Sequence, residues 1–454
     1  MRPSWHQSVT ALTLFSAVSS AGADTLDESA TAEEIAALKH RLSDLEAKQK
    51  TAWTRNSDSE EIRALIQGVA ADSANRTSLL DEGATGGYMG PGKGFTLQSA
   101  DGGFSMRIGL QYQFRYVWNN RDGNGNPAVD ENVAGFEVRR NKIRMSGNLF
   151  DKELKYNILG AFNRSGGAFA LEDAYFDWTM GEGWTFRWGQ FKAPFNREEL
   201  LSDVNQLTAE RSYVNSLVTL DRTQGVQLGY DAEKFKVQAS FNEGYTPSFT
   251  GPGTNASNTA FNATPTEWAF TARGEWLVTG DWKQFDDATS WLESPTGLLL
   301  GAAVHWQDAQ YGSNANNNEQ EVLQWTVDAA LELSGPELSA WVVGRHNDPN
   351  SPSSPSFDQL GFVAQGSFNI DNTIEPYVRY EWFDFDNAIA GNDQFSAVTV
   401  GFNYFLNKNG WRWTTDVIYC LDPVPAASTG VGLVADSAGQ DGQVALRTQM
   451  QITF

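Results

Sequence analysis

The sequence predicts an all-β chain: a 16-stranded antiparallel transmembrane β-barrel preceded by a short α-helical coiled-coil segment. Three observations predict it. From Phe104 onward apolar and polar residues alternate with a period of two, segment after segment. The connections between segments are mostly tight at one end and mostly long at the other, the sidedness of a barrel that crosses a membrane. The last segment alternates to the final residue, with Val444, Leu446, Met450, Ile452 and Phe454 on one phase and Ala445, Arg447, Gln449, Gln451 and Thr453 on the other.

In chain order, residues 1–23 read as a signal peptide. Arg2 is the positive flank, Val9–Val18 the apolar stretch, and Ala21-Gly22-Ala23 the cleavage site. Residues 24–82 read as a periplasmic helical segment. Ile35, Leu38, Leu42 and Leu45 have coiled-coil seam spacing, and Ile62, Leu65, Ile66 and Val69 continue the apolar face. A single solvated helix is the competing reading. The glycines of 83–103 read as a linker. The barrel domain then spans 104–454.

Its strands are expected at 104–118, 135–149, 153–164, 169–180, 184–191, 223–231, 234–243, 266–278, 297–308, 321–333, 337–346, 358–370, 373–384, 394–406, 410–421 and 441–454. Most are long enough to cross a bilayer when tilted. Two connections break the rhythm. Residues 279–296 are long where a turn is expected, and 165–168 are short where a loop is expected. Trp118, Trp184, Trp276, Trp306, Trp382 and Trp411 fall near strand ends, where amphipathic rings meet lipid headgroups.

Composition agrees. The 454 residues include 16 Trp, 13 Tyr, 27 Phe and 42 Gly, which suits barrel strands and aromatic girdles. Mean hydropathy is -0.42, as alternation hides apolar residues from an average. No apolar run after the N-terminus is long enough for a membrane helix. The formal net charge of -23 argues against nucleic acid as a partner. One cysteine, Cys420, leaves no intrachain disulfide and no cysteine-based zinc site.

Catalytic signatures are missing. The four histidines, His6, His40, His305 and His346, include no pair at helical metal spacing, and no nucleophile-elbow, zinc-protease or phosphate-loop motif occurs. Asp122–Asn126 resembles the start of a calcium loop, but Pro127 and Val133 stand where that loop needs Gly and Glu. The chain reads as no enzyme and as needing no cofactor.

The inward phase carries the chemistry. Its basic residues are Arg107, Arg115, Arg140, Lys142, Arg144, Lys155, Arg187, Lys236, Arg273, Arg379, Arg412 and Arg447. Its acids are Asp173, Asp177, Glu267, Glu275, Asp328, Glu332, Glu375, Glu381 and Asp416. Charges in a narrow lumen set ion preference; structural ion pairs between strands are the competing use. The longest connection, 192–222, mixes Lys192, Arg197, Arg211 and Arg222 with Glu198, Glu199, Asp203, Glu210 and Asp221. That polarity fits a segment folded into the channel, with an extracellular flap as the alternative.

Four motifs in order carry a family resemblance: Phe136–Arg144 (FEVRRNKIR) before Gly147, Glu172–Phe176 (EDAYF), Gly189–Phe195 (GQFKAPF), and Glu210-Arg211-Ser212 ahead of Arg222–Val226 (RTQGV). From about residue 95 to Phe454 the chain resembles the phosphate- and polyphosphate-selective outer-membrane porins. The resemblance implies a homotrimer, a third loop folded in at the constriction, and Arg and Lys side chains that bind anions. Acidic residues interrupt the basic ladder that phosphate selectivity would need.

The reading is therefore an outer-membrane porin of a Gram-negative-type bacterium, passing small hydrophilic solutes or ions by passive diffusion with a mild anion preference. Candidate pore-lining or anion-binding residues are Arg107, Arg115, Arg140, Lys142, Arg144, Lys155, Arg187, Lys192, Arg197, Arg211, Arg222 and Arg379. Expected partners are outer-membrane lipid, the permeating solutes, two further copies of the chain, and the barrel-insertion machinery through Phe454. The alternative is a surface barrel acting as an adhesin, or as an envelope tether through residues 24–82.

Overall fold

The computed structural model describes residues 84–88, 90, 94–122, 131–260, 266–310, 319–348, 355–386, 394–436, 440 and 442–454, with six positions between 37 and 44. The chain divides into two units, Met1–Asp81 and Glu82–Phe454. In the first, the six described positions are helical. The signal peptide and the apolar seam positions named above lie outside the described residues.

The second unit is a closed antiparallel barrel of sixteen strands. They are β1 (Ser105–Asn120), β2 (Asn132–Asn148), β3 (Leu154–Phe162), β4 (Phe169–Gly181), β5 (Trp184–Lys192), β6 (Arg222–Asp231), β7 (Phe235–Asn242) and β8 (Thr266–Thr279). There follow β9 (Gly297–Gln310), β10 (Glu319–Glu332), β11 (Pro336–Asp348), β12 (Phe357–Phe368), β13 (Ile374–Asp384), β14 (Gln394–Asn407), β15 (Trp411–Cys420) and β16 (Val444–Thr453). Each expected strand is present. Each pairs with its neighbours in chain order, and β16 closes on β1 from Val444↔Asn120 to Thr453↔Gln111. Closure leaves no unpaired edge in the wall, which is what lets strands cross lipid.

Alternation sorts the two faces as the sequence implies. On β16 the inward Ala445, Arg447, Gln449 and Gln451 are buried. Outward apolar residues form the exposed belt, among them Leu228, Val237, Val304, Val327 and Val400. Aromatic pairs band both rims: Trp184 with Tyr230 and Phe235 with Trp276 at the short-turn end, Phe241 with Trp268 and Phe270 with Trp306 at the long-loop end.

Residues 83–103, expected as a linker, instead hold a short hairpin, Ala84–Tyr88 against Phe95–Ser99. Its second strand pairs with the start of β1, Phe95↔Ile108 to Gln98↔Ser105. β16 ends just above, where Phe454 exchanges backbone hydrogen bonds with Leu110 at 2.9 and 3.0 Å. The hairpin therefore covers the stretch of β1 that β16 is too short to reach. Five-residue strands among glycines give too little periodicity to signal this.

Gly94 makes the junction possible. Its φ is +64°, and a Cβ there would stand 2.1 Å from the Ile108 carbonyl oxygen. Gly94→Val should lift the hairpin off β1, at a cost of at least about 1 kcal/mol from the left-handed backbone alone. Hydrogen exchange at Phe95–Ser99 should rise while β16 stays protected; unchanged exchange at the hairpin would reject the contact.

Candidate functional site

The 193–221 connection folds into the lumen. Two short helices order it. In α1 (Arg197–Leu200) the Asn196 side chain accepts from the Glu198 N–H; in α2 (Tyr213–Val218) the Ser212 hydroxyl accepts from the Asn215 N–H. Glu198 joins the two, accepting from the Ser212 N–H at 2.7 Å and hydroxyl at 2.6 Å. Arg211 donates to the carbonyls of Glu198 and Leu201, and Lys192 also reaches Leu201. Both cations sit at the C-terminal end of α1, where free carbonyls attract them.

Between the helices, residues 203–210 run extended, and the wall bonds their backbone. Gln113 donates to the Asp203 carbonyl (3.4 Å), Gln451 to Val204 (3.0 Å), Arg412 to Gln206 (2.8 Å) and Asn403 to Leu207 (2.8 Å). Gln449 donates to Ala209 (3.2 Å) and Arg379 to Glu210 (3.0 Å). The Ala209 N–H donates to Asp416. On the far side α2 packs into a buried apolar cluster with Val343, Val363, Phe383 and Phe395. Gln324 and Arg345 bond the carbonyls of Val218 and Leu217 at its end.

The long connection after β8, 280–296, also turns inward and forms a strap under this loop. The Ala288 N–H donates to the Asn205 carbonyl at 3.0 Å, and the Asn205 amide donates to the Asp286 carbonyl at 3.0 Å. Arg197 donates to the Phe285 carbonyl at 2.6 Å. The Thr289 hydroxyl donates to Glu375.

Loop and strap fill the half of the lumen beside β8–β16. Three chambers lie along β1–β7, the one at the short-turn end being bordered also by the strap and the β14–β15 turn. At the long-loop end is one of about 400 Å³, bordered by Arg139, Arg164, Lys192, Asp203, Arg211 and Arg222. A middle chamber of about 240 Å³ shares Lys192, Asp203 and Arg222 with it. A chamber of about 500 Å³ at the short-turn end shares Arg144, Leu159 and Ser202 with the middle one.

Two β-bulges enrich the charge at this level. The β1–β2 register slips beside Gln113, so Arg139 and Arg140 are neighbours that both meet Glu210. The β3–β4 register slips at Leu159, so Glu172 and Asp173 both face inward, to Lys142 and Arg222. Strict alternation puts only one of each pair inside, which is why Arg139 and Glu172 were not among the inward residues expected from sequence.

The candidate residues divide by what they touch. Arg115 pairs with Glu137 and Arg379 lies 3.6 Å from Glu381; both are fully buried beneath the loop. Arg140 pairs with Asp203 at 2.6 Å and with Glu210, and Lys142 with Glu172 (2.6 Å) and Asp203 (2.7 Å). Arg187 pairs with Asp177 at 2.6 Å, and Arg222 with Asp173 (2.7 Å), Glu172 and Asp221. Lys192 and Arg211 lie 3.4 Å from Glu199. Arg197 reaches the strap. Lys155 is exposed and outside the chambers. Arg107 and Arg144 are exposed, line the short-turn chamber, and have no ion pair among the described residues. His305 is buried between Thr271 and Gln307. No group of three or more His, Cys, Asp or Glu among the described residues is placed to hold a metal.

Burial opposes the charge of Glu210, but Arg139, Arg140 and Arg115 outweigh it and hold the carboxyl well below its usual range. Burial opposes Asp203 likewise, and Lys142 and Arg140 outweigh it. These carboxylates keep their contribution at neutral pH and lose it only in strong acid. Asp287 in the strap behaves oppositely. Burial pushes it up to about 6, although the Thr289 N–H and the Trp291 indole pull it down.

A family model described as phosphate-selective porin O and P matches residues 104–419. Among solved structures, an anion-selective porin from Comamonas acidovorans superposes with a TM-score of 0.51 at 12% identity, covering 77% of this chain and 99% of that one. The outer membrane channel DcaP of Acinetobacter baumannii superposes with a TM-score of 0.51 at 12% identity, covering 76% and 97%. At that identity the likeness shows a shared fold. A search of curated proteins returns no match.

Two outcomes follow. Glu210→Gln leaves three arginines short of charge, two of them buried, a loss on the order of 3 kcal/mol. Proteolysis within 202–212 should quicken and single-channel conductance should rise; unchanged cleavage and conductance would deny Glu210 this role. The raised Asp287 carboxyl binds its proton more tightly when the strap is seated, so stability falls as pH climbs from about 4 to about 6. Hydrogen-exchange protection across 280–296, taken relative to the intrinsic rate at each pH, should be greater at pH 4.5 than at pH 7, and Asp287→Asn should remove that difference in protection.

Proposed function

The chain belongs to the phosphate-selective porin O and P family, and from that premise we propose how its lumen sorts solutes. It is an outer-membrane channel for passive diffusion of small hydrophilic solutes and ions. Its passage is eccentric, running between the inward loop and the wall of β1–β7.

The anion preference rests on one observation. Nearly every cation bordering the chambers is matched by a carboxylate or spent on backbone carbonyls, whereas Arg107 and Arg144 are not. Register sets them side by side, since Arg107 faces Ser146 and Gly109 faces Arg144. Two unpaired guanidinium groups on a low-dielectric wall raise the local concentration of anions. The matched pairs hold the wall in shape and add little net field. The similarity to a porin named as anion-selective supports the same reading.

The short-turn end faces the periplasm in this reading, as in other barrels with short periplasmic turns. Residues 24–82 then lie in the periplasm behind a removed signal peptide, and the chain assembles as a homotrimer. The adhesin or tether alternative gains no support from the fold or the family.

Arg107→Glu with Arg144→Glu should move the reversal potential in a salt gradient toward cation preference. Lys142→Gln, which removes one member of a matched group, should move it less. An unchanged reversal potential in the double variant would place the selective field elsewhere.

A further inference from the structure

The middle chamber carries more than a share of the pathway. It is lined by Arg144, Asp173, Tyr175, Arg187, Lys192, Asp203, Arg222, Gln227 and Gln238, among others. Their commitments leave a remainder. Arg187 is held by Asp177 and lies 4.0 Å above the Tyr175 ring. Arg222 is held by Asp173, Glu172 and Asp221. Lys192 is turned to α1, and Asp203 is taken by Arg140 and Lys142. No carboxylate of this set is free.

What remains is one cation, Arg144, and one buried acceptor without a partner, on Gln227, beside the partly exposed Gln238 amide and the Tyr175 hydroxyl. Arg144 has no hydrogen bond or ion pair among the described residues. Gln227 is 5% exposed, and its side-chain oxygen has no partner. It faces the neighbouring strand one step above Gln238, since Gln227 pairs with Ser240 and Gly229 with Gln238. A buried acceptor without a partner is costly, and a permeating group that donates to it recovers part of that cost.

We propose that the middle chamber is a binding subsite for a small hydroxylated organic anion, such as a sugar acid. Its carboxylate sits at Arg144, and a hydroxyl donates to Gln227. The proposal rests on the channel reading above and adds a solute class to it. The chamber is smaller than the usual range for drug-sized ligands, which limits the occupant to a small solute. A carboxylate with only an alkyl chain satisfies Arg144 and leaves the Gln227 oxygen unpaired.

The test compares gluconate, hexanoate and inorganic phosphate as blockers of chloride current through the full-length protein in planar bilayers. Calorimetry on the same protein in detergent runs alongside. Gluconate should block at about tenfold lower concentration than hexanoate, the worth of one recovered hydrogen bond. Gln227→Leu should bring that ratio near one and leave phosphate block unchanged. Arg144→Gln, at an exposed position, should weaken gluconate and hexanoate together while keeping their ratio; it also carries the test if Gln227→Leu does not assemble.

Equal block by the two carboxylates in the native protein overturns the subsite. So does a ratio that Gln227→Leu leaves in place, or phosphate block that falls with it. Gluconate binding by calorimetry with no current in bilayers would instead sink the channel reading and spare the subsite.

Discussion

The bonding of the 203–210 backbone by the barrel wall is the constraint on which the rest depends. An extended peptide inside a lumen would leave its N–H and C=O groups to water or unpaired. Here side chains of β1 and β13–β16 act as the neighbouring strand would, taking carbonyl after carbonyl. The loop is thereby fixed against one side of the barrel. Apolar packing around α2 completes the fill, and the passage is left on the other side, along β1–β7. Arg379 and Arg412, which by sequence alone stand for charge in a pore, are buried as the hooks of this clamp.

The same division explains the electrostatics. A sixteen-stranded wall presents many inward positions, and most of their charges are consumed in holding the loop. Buried ion pairs return little net stability against a well-packed apolar equivalent, but breaking one is costly. They fix one arrangement of the loop instead of many. Arg107 and Arg144 escape because they stand toward the short-turn end, below the level at which the loop supplies carboxylates. The free field therefore lies toward the short-turn side of the passage, reaching the middle chamber through Arg144.

Much of this was legible in the sequence, and the parts that were not have a common cause. All sixteen strands followed from a period of two, and so did the inward burial of residues such as Arg447 and His305. The period failed at Arg139 and Glu172, where a bulge places consecutive residues on one face. It was silent on the hairpin at 84–99, too short to show a period. It could separate inward from outward charges but not paired from unpaired ones, since pairing depends on loop residues sixty or more positions away. Arg140 with Glu210 is such a case.

The long connection 280–296, an irregularity against the expected short turns, is better understood as the clamp's support. Wall side chains take the backbone of 203–210 at nearly every step, but the Asn205 carbonyl has no wall donor. The Ala288 N–H fills that position, and Asn205 returns a bond to the Asp286 carbonyl. A tight turn after β8 could not reach so far into the lumen. The extra length of the strap therefore follows from the loop it braces, and Asp287, buried in the strap, becomes the group whose deprotonation above acid pH loosens it. The two inward segments form one device: the loop sets the width of the passage, and the strap holds the loop from below.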